Sequence, residues 1–189
     1  MKNFLLLSLT SFIFSVVLWV VWHFVDSHVL FLAGKGGFFY FPHAARVLCI
    51  VYFGYKAIPA LYLGELVGPF VIEAGLYSFC THITSFISVM SVPFALGFLN
   101  ILGFTLGETR TSPLNRRNYK HIFLITFISA GFNALFVNLY MSRNNLSFPN
   151  AITDIEQVYR FLIGDLLGTA IVFIFLAMLL IPVLRQARS

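Results

Sequence analysis

Charged residues are scarce in this sequence. Asp, Glu, Lys and Arg make up 10% of the 189 residues, whereas 59% are hydrophobic and the mean hydropathy is +0.90. A water-soluble domain needs a surface in which about a quarter or more of the residues are charged, so this composition excludes an ordinary soluble fold. The chain is instead predicted to be an integral membrane protein whose main partner is the lipid bilayer.

Signatures of enzymes and of nucleic-acid-binding proteins are also missing. The only two cysteines, Cys49 and Cys80, lie in or beside apolar segments, so neither a disulfide framework nor a thiol-based metal site is expected. No serine elbow, phosphate-binding glycine loop or nucleophile–base pair occurs. The basic residues behind the net charge of +5 are scattered, without interleaved aromatic residues. We therefore expect a protein that is not an enzyme, needs no cofactor and binds no nucleic acid.

Apolar runs between polar breaks predict six transmembrane helices in a single domain, residues 1–189. Each helix needs about 20 residues to cross a hydrocarbon layer about 30 Å thick. The first run is longer than the apolar core of a signal peptide and lacks a cleavage site, so we expect it to be retained. Pro42 and Pro59 mark the starts of the second and third helices. The predicted spans are 4–25, 38–54, 57–77, 84–106, 121–141 and 158–184.

Basic residues are distributed unequally among the connecting segments. If both termini are cytoplasmic, the outer loops hold only Lys35 and Arg143, and the positive-inside rule favours this orientation in a bacterial inner membrane. The segment 107–121, "GETRTSPLNRRNYKH", is then the main cytoplasmic loop. It is either an orientation signal alone or a contact surface for anionic lipid or a separate partner protein. The inner residues are Lys2, Lys56, Arg110, Arg116, Arg117, Lys120, Arg185 and Arg188.

Two short motifs place a carboxylate beside glycines inside apolar runs, "LGELVG" at 63–68 and "IGDLLG" at 163–168. Glycines four residues apart share one helix face and let another helix approach closely. Glu65 and Asp165 are expected beside such a face with a partner in the interior, because a carboxylate facing hydrocarbon would cost several kcal/mol. The glycines predicted to form packing faces are Gly64, Gly68, Gly103, Gly107, Gly164 and Gly168.

The two motifs also occupy corresponding places in the two halves of the chain. The third predicted span runs outward and the sixth inward, as in a 3+3 inverted repeat. Outside the motifs the halves align poorly, and His43 falls opposite Arg143, so independent packing motifs are the alternative. The predicted fold class is an all-α bundle of about six transmembrane helices with the inverted repeat as an open hypothesis.

Arg46 is expected inside the second span. Because arginine keeps its proton, it predicts a buried ion pair with either Glu65 or Asp165. His43 and Arg160 complete this ligand-binding or ion-pair network, and a small-molecule ligand would be held there. In the alternative, Arg46 reaches back to the membrane interface and the carboxylates only hold helix ends together.

Other polar groups lie on or near the predicted spans. Asn100, Asn133 and Asn138 are expected to hydrogen-bond between helices. The aromatic cluster 38–43, "FFYFPH", is expected at the outer interface or as the roof of a ligand cavity.

Imidazole and carboxylate groups collect on the predicted outer side. They are ligand types that zinc and nickel accept, but no H-x-x-x-H or H-E-x-x-H spacing occurs. We therefore expect no metal site, with hydrogen bonding at the interface as the main role of the histidines. The groups concerned are His23, Asp26, His28, His43, Glu73 and His82, of which His23, Asp26, His28 and His82 are the weak metal-ligand candidates.

Two segments resemble the bacterial membrane-associated sensor domain of the first type. "YFPHAARVLCIVYFGYKAIPALYLGELVG", residues 40–68, is similar to its early part, in which a Pro-x-Ala segment and a span ending in Phe-Gly precede a Pro and a Leu-Gly. "YRFLIGDLLGTAIVFIFLAMLLIPVL", residues 159–184, is similar to its later Gly-Asp-x-x-Gly span. The matching positions are Pro42, Arg46, Gly64, Gly164 and Asp165, although the family often has a small or apolar residue in place of Arg46.

The resemblance implies a sensory or ligand-recognising membrane module. Members of the family typically have more spans and feed a cytoplasmic output domain, whereas this chain ends at Ser189, so the signal is expected to pass to a separate protein. The substrate-binding subunits of energy-coupling-factor vitamin transporters are a second hypothesis, since they are six-span proteins of this size. They dock through a small-residue face of the first helix, for which this chain offers only Ser8, Ser11 and Ser15, and of these Ser11 and Ser15 have the small-residue spacing. An envelope assembly factor is a third hypothesis.

Overall fold

The computed structural model describes residues 2–29, 39–72, 79–104, 119–144 and 154–186. All regular structure in these ranges is helical, which confirms the all-α prediction for this part of the chain. The six α-helices are α1 (Lys2–Phe24), α2 (Pro42–Phe53), α3 (Ile58–Ile72), α4 (Phe79–Ile101), α5 (Tyr119–Arg143) and α6 (Asp154–Gln186); a short π-helix (Val25–Val29) follows α1, and a 3-10 turn (Gly54–Ala57) joins α2 to α3.

Five helical stretches in the described ranges are long and apolar enough to cross a membrane. They are Phe4–Ser27, Pro42–Val71, His82–Ile101, Tyr119–Arg143 and Ile155–Leu179. Their outward faces carry large apolar side chains, which is compatible with a multi-pass membrane protein. The stretch Pro42–Val71 covers most of both the second and the third predicted spans, 38–54 and 57–77, so the count of six spans stays a prediction.

The stretch Pro42–Val71 is bent back on itself. On a straight helix, Arg46 and Glu65 would lie roughly 28 Å apart, at 1.5 Å per residue. Their side chains instead meet at 2.8 Å, so the chain must reverse between α2 and α3. Gly54 has a φ of 71°, a conformation that glycine adopts without a steric penalty, and it ends α2 at the start of this reversal.

α2 is a short helix at the centre of the bundle. Its 12 residues span only about 18 Å, less than the thickness of a hydrocarbon layer. Every residue from Pro42 to Val51 is buried, and α2 contacts each of the other five helices. A helix that is buried on all sides belongs to the core, and here the core helix carries two polar side chains, His43 and Arg46.

The amino-terminal end of α2 begins inside the bundle. The backbone N–H of Tyr40 donates to the carbonyl oxygen of Gly164 at 2.8 Å. Gly164 lies ten residues after Asp154, the first residue of α6, so this contact is about 15 Å along that helix. The chain therefore enters α2 from the interior, with Pro42 in the first turn, where its missing N–H costs nothing.

Glycines allow the closest helix contacts, as predicted for the two carboxylate motifs. A Cβ on Gly64 would lie 2.7 Å from Ser15 Oγ, and one on Gly68 would lie 2.7 Å from Cδ1 of Trp19. The two contacts advance by four residues on both helices, so α1 and α3 run in the same direction. A Cβ on Gly168 would overlap the backbone of Tyr40, 2.5 Å from its nitrogen and oxygen.

The packing prediction is wrong for Gly103. This residue lies just beyond α4 with a φ of 85°, and a Cβ there would meet nothing within 4 Å. Its backbone N–H donates to the carbonyl oxygen of Asn100, so the glycine serves the turn that ends the helix. Gly107, which was predicted to share a packing face with Gly103, lies outside the described residues.

Candidate functional site

A bidentate ion pair joins α2 to α3. Arg46 donates from Nε to Glu65 Oε1 at 2.9 Å and from Nη2 to Glu65 Oε2 at 2.8 Å. Both side chains are almost fully buried, with 1% and 2% exposure. The parallel geometry matches the fork of a guanidinium to both oxygens of a carboxylate, the strongest form of this interaction. Of the two partners that the sequence offered for Arg46, the ion pair forms with Glu65.

Tyr40 lies between this ion pair and the tryptophans of α1. Its hydroxyl accepts from Arg46 Nη2 at 3.0 Å and donates to Glu65 Oε2 at 3.3 Å. The guanidinium carbon lies 5.2 Å from the centre of the Tyr40 ring, within cation–π distance. Trp19 and Trp22 contact the same ring edge-on, with centroid distances of 5.5 and 5.2 Å. Three aromatic rings therefore cover the ion pair, and Tyr40 lies in the bundle.

A second polar group joins α2, α5 and α6. His43 Nε2 lies 3.0 Å from Ser129 Oγ, and His43 Nδ1 lies 3.5 Å from Asp165 Oδ2. The latter distance suits an ion pair but not a well-formed hydrogen bond. Asn133 Nδ2 donates to the same Asp165 oxygen at 2.6 Å. All four side chains are buried, so the first turn of α2 is tied by polar contacts to both neighbouring helices.

The two groups form one electrostatic unit, which we call the polar cluster: Tyr40, His43, Arg46, Glu65, Ser129, Asn133 and Asp165. The charge of Arg46 acts on both His43 and Asp165. Asp165 also lies near the amino-terminal end of α2, because His43 belongs to its first turn; the partial positive charge of a helix amino terminus favours an anion there. The charge of Arg46 and the helix terminus thus offset part of the cost of burying the two carboxylates.

Some polar atoms of the polar cluster have no hydrogen-bond partner among the described residues. These atoms are His43 Nδ1, Arg46 Nη1 and Asn133 Oδ1. Because buried polar groups are nearly always hydrogen-bonded in proteins, unmatched donors and acceptors in one place are a common property of binding sites. The cluster therefore has both a donor and acceptors to offer to a bound molecule.

Arg160 does not join this network, contrary to the prediction. It donates from Nη2 to Glu156 Oε1 at 2.8 Å, and the two side chains are 22% and 50% exposed. Residues four apart share one face of a helix, and this face of α6 points outward. Asn133 makes the predicted contact between helices, whereas Asn138 bonds to Ala134 of its own helix and Asn100 is exposed.

The weak metal-ligand candidates lie apart from the polar cluster. Ser27 Oγ is 3.4 Å from His23 Nε2, and Tyr62 Oη is 3.4 Å from His82 Nδ1. Asp26 is buried beside His23. No three His, Cys, Asp or Glu side chains converge in the described ranges, and the side chain of His28 and all of Glu73 lie outside them.

Comparisons of the chain with protein-family models, with curated proteins and with solved structures found no match. The resemblance to the membrane-associated sensor domain rests on the quoted residues and stays a prediction.

Three residues of the polar cluster, Tyr40, Ser129 and Asn133, were not singled out as site residues from the sequence, and Asn133 was predicted only to hydrogen-bond between helices. Tyr40 stands in an aromatic run that interfacial anchoring explains equally well, and Ser129 is one of many serines on apolar helices. The glycine motif that includes Gly168 could have indicated the position of Tyr40, since a glycine face on a helix implies that another backbone approaches it closely. No comparable signal marks Ser129.

Proposed function

We propose that this chain is a non-enzymatic multi-pass protein of the bacterial inner membrane that recognises a small molecule at the polar cluster and acts through a separate partner protein. The observation that supports this is the burial of Arg46, Glu65, His43 and Asp165 at one place in an otherwise apolar bundle. Buried ion pairs contribute little to stability compared with well-packed apolar residues, and charges inside membrane proteins usually serve a function.

The position of α2 supports ligand recognition. Discontinuous helices that begin inside a bundle are used by membrane transporters to bind polar ligand groups, because their terminal backbone groups are free and their dipoles point into the site. α2 begins about 15 Å along α6 and places His43 and Arg46 in its first two turns. The unmatched atoms Arg46 Nη1 and Asn133 Oδ1 would then bind an acceptor and a donor of the ligand.

The six-span topology with cytoplasmic termini belongs to the same proposal. α2 and α3 are then two spans joined at Gly54–Ala57, where Tyr55 and Lys56 are exposed. The shared direction of α1 and α3 fits their places as first and third spans. Of the predicted segment 107–121, residues 107–118 lie outside the described residues and 119–121 begin α5. In this topology the segment would be cytoplasmic, and its basic residues would contact the partner protein.

One observation favours the sensory module over the vitamin-uptake subunit. Ser11 and Ser15, the only small-residue pair on α1 that could dock an external helix, are fully buried. Ser15 lies against Gly64 of α3 within the same chain. The small-residue face of α1 is therefore occupied internally, whereas a docking subunit must present such a face to its partner.

The proposal is tested by purifying the protein in lipid nanodiscs and identifying bound molecules and proteins by mass spectrometry. Arg46→Lys keeps the charge but removes the fork geometry and Nη1, so we expect loss of the bound molecule with the helical content unchanged. Arg160→Lys is the matched control, and it should retain the ligand.

The partner is tested separately with Arg116→Gln/Arg117→Gln, which should lose the co-purifying protein but keep the small molecule. An identical set of bound molecules and proteins in wild type and all variants would contradict a ligand site at the polar cluster. Retention of an assembly complex without any small molecule would favour an envelope assembly factor.

A further inference from the structure

The hydrogen bonds around His43 determine where its ring hydrogen lies. Ser129 Oγ donates its only hydrogen to the carbonyl oxygen of Thr126 at 3.1 Å. The hydroxyl lies 3.0 Å from His43 Nε2, and with its own hydrogen directed at Thr126 it accepts a hydrogen from the ring. A neutral imidazole with its hydrogen on Nε2 has a bare lone pair on Nδ1.

This lone pair faces another acceptor. His43 Nδ1 lies 3.5 Å from Asp165 Oδ2, and the two side chains are 0% and 1% exposed. An ionised carboxylate can only accept hydrogen bonds, so a neutral His43 and an ionised Asp165 would turn lone pairs toward each other. One proton on either atom converts this contact into an attraction between a donor and an acceptor.

The charges of the polar cluster lead to the same conclusion. Arg46 and Glu65 cancel each other in their bidentate pair. With His43 neutral, the carboxylate of Asp165 leaves the cluster with one uncompensated negative charge. Such a charge is costly in an apolar interior, and one added proton brings the cluster to neutrality.

Among the described residues of the surrounding helices, no other group supplies this charge. The charged groups that act on the pair are Arg46 and Glu65. α5 contributes the neutral Ser129 and Asn133 at this place. The described histidines of α1 and α4 have contacts elsewhere: His23 lies near Ser27 and Asp26, and His82 lies beside Tyr62. Tyr40 is hydrogen-bonded to Glu65.

We propose that His43 and Asp165 form a proton-binding site, which takes up one proton from the aqueous phase and releases it again. The proton resides on Nδ1 or Oδ2 and makes this contact attractive, which holds the amino-terminal end of α2 against α6. Its release leaves one negative charge next to Arg46 and two facing acceptors, so α2 and α6 repel each other at this point. This inference deepens the proposed function, on which it rests, by naming the proton as a species that the polar cluster recognises.

The test is nitrogen-15 NMR of labelled histidine in nanodiscs, which reports for each ring nitrogen whether it carries or shares a proton. Replacing His23, His28, His82 and His121 by Gln leaves His43 as the only signal. We expect Nε2 to be protonated throughout and the Nδ1 signal to change reversibly from a proton-sharing to a bare nitrogen as the buffer is made alkaline. If this variant fails to fold, His43→Gln in the otherwise wild-type chain identifies the signal by subtraction.

Asp165→Asn provides the decisive comparison. Once the Asn133 amide turns its unmatched oxygen toward position 165, the new amide N–H can donate to both Asn133 and His43 Nδ1. The Nδ1 signal of this variant should then no longer respond to alkaline buffer while the helical content is retained. Glu156→Gln, which alters an exposed carboxylate of the same helix, should respond like wild type. Infrared spectra of wild type at the two buffer conditions give an independent count of protonated carboxyl groups.

Two results would overturn the proton site: an Nδ1 signal that stays unchanged in alkaline buffer with Asp165 present, or the same response in Asp165→Asn as in wild type. These measurements use the protein without ligand or partner. A negative result therefore refutes the proton site alone, whereas failure of the mass spectrometry experiment refutes the ligand and partner.

Discussion

Removing either member of the buried Arg46–Glu65 pair should destabilise the protein far more than removing both. Arg46→Met leaves Glu65 buried with Tyr40 as its remaining hydrogen-bond partner among the described residues, and Glu65→Leu leaves Arg46 without its bidentate partner. Breaking one side of a buried ion pair typically costs about 3–5 kcal/mol, whereas replacing both members by apolar residues is often nearly neutral. We expect the double variant to lose at least about 2 kcal/mol less than the sum of the single variants.

The assay is reversible unfolding in mixed micelles, with the free energy of unfolding measured for wild type, both single variants and the double variant. The chain contains a matched control in Arg160 and Glu156, which form the same type of pair on the surface of α6. An exposed pair four residues apart on a helix is worth only about 0.3–0.5 kcal/mol. The coupling energy of Arg160→Ala and Glu156→Ala should be of that size.

Two outcomes would refute this reasoning. The first is equal coupling energies for the buried and the exposed pair, which would mean that the bundle interior does not isolate Arg46 and Glu65 from water. The second is a single variant, Arg46→Met or Glu65→Leu, that is as stable as wild type, because an unpaired charge in the core would then carry no cost.

Further predictions concern the packing around the polar cluster. Gly168→Ala should cost about 1–3 kcal/mol because its Cβ would overlap the backbone of Tyr40, whereas Gly131→Ala, where a Cβ meets nothing within 4 Å, should be neutral or slightly stabilising in the same unfolding assay. Tyr40→Phe should cost about 1–3 kcal/mol, since it removes two hydrogen bonds to charged groups; an unchanged free energy of unfolding would contradict the contacts with the ion pair. Cys49 is buried, so in the Cys80→Ser variant a thiol reagent should label the protein only at the rate of unfolding. Rapid labelling of the folded variant would contradict the burial of Cys49.

The sequence was sufficient to predict helices, stretches apolar enough to cross a membrane and the buried charges, because all three follow from composition and from the high cost of an unpaired charge among apolar groups. It limited the partner of Arg46 to two carboxylates, since Glu65 and Asp165 are the ones inside apolar runs. It could not choose between them. That choice depends on the reversal of the chain at Gly54, which brings α3 back along α2, and an apolar run alone does not reveal such a reversal.

The incorrect placement of Arg160 had a visible cause. Glu156 stands four residues before it, the spacing of a surface ion pair on a helix, and this local partner is favoured over a distant one because it costs no burial. The role of Tyr40 was harder to predict. An aromatic residue between glycines and a proline suits the membrane interface equally well, and its place in the bundle is shown by its hydrogen bonds to Gly164, Arg46 and Glu65.

The length of α2 links the fold to the chemistry of the polar cluster. A helix of ordinary spanning length would place both of its ends near water, and His43 in its first turn would be hydrated. Because α2 has only 12 residues and is surrounded by five helices, its first turn lies in the interior instead. There the partners of His43 and Arg46 must come from α3, α5 and α6. The same geometry that makes these charges costly therefore makes the packing of the bundle sensitive to a single proton or ligand at this point.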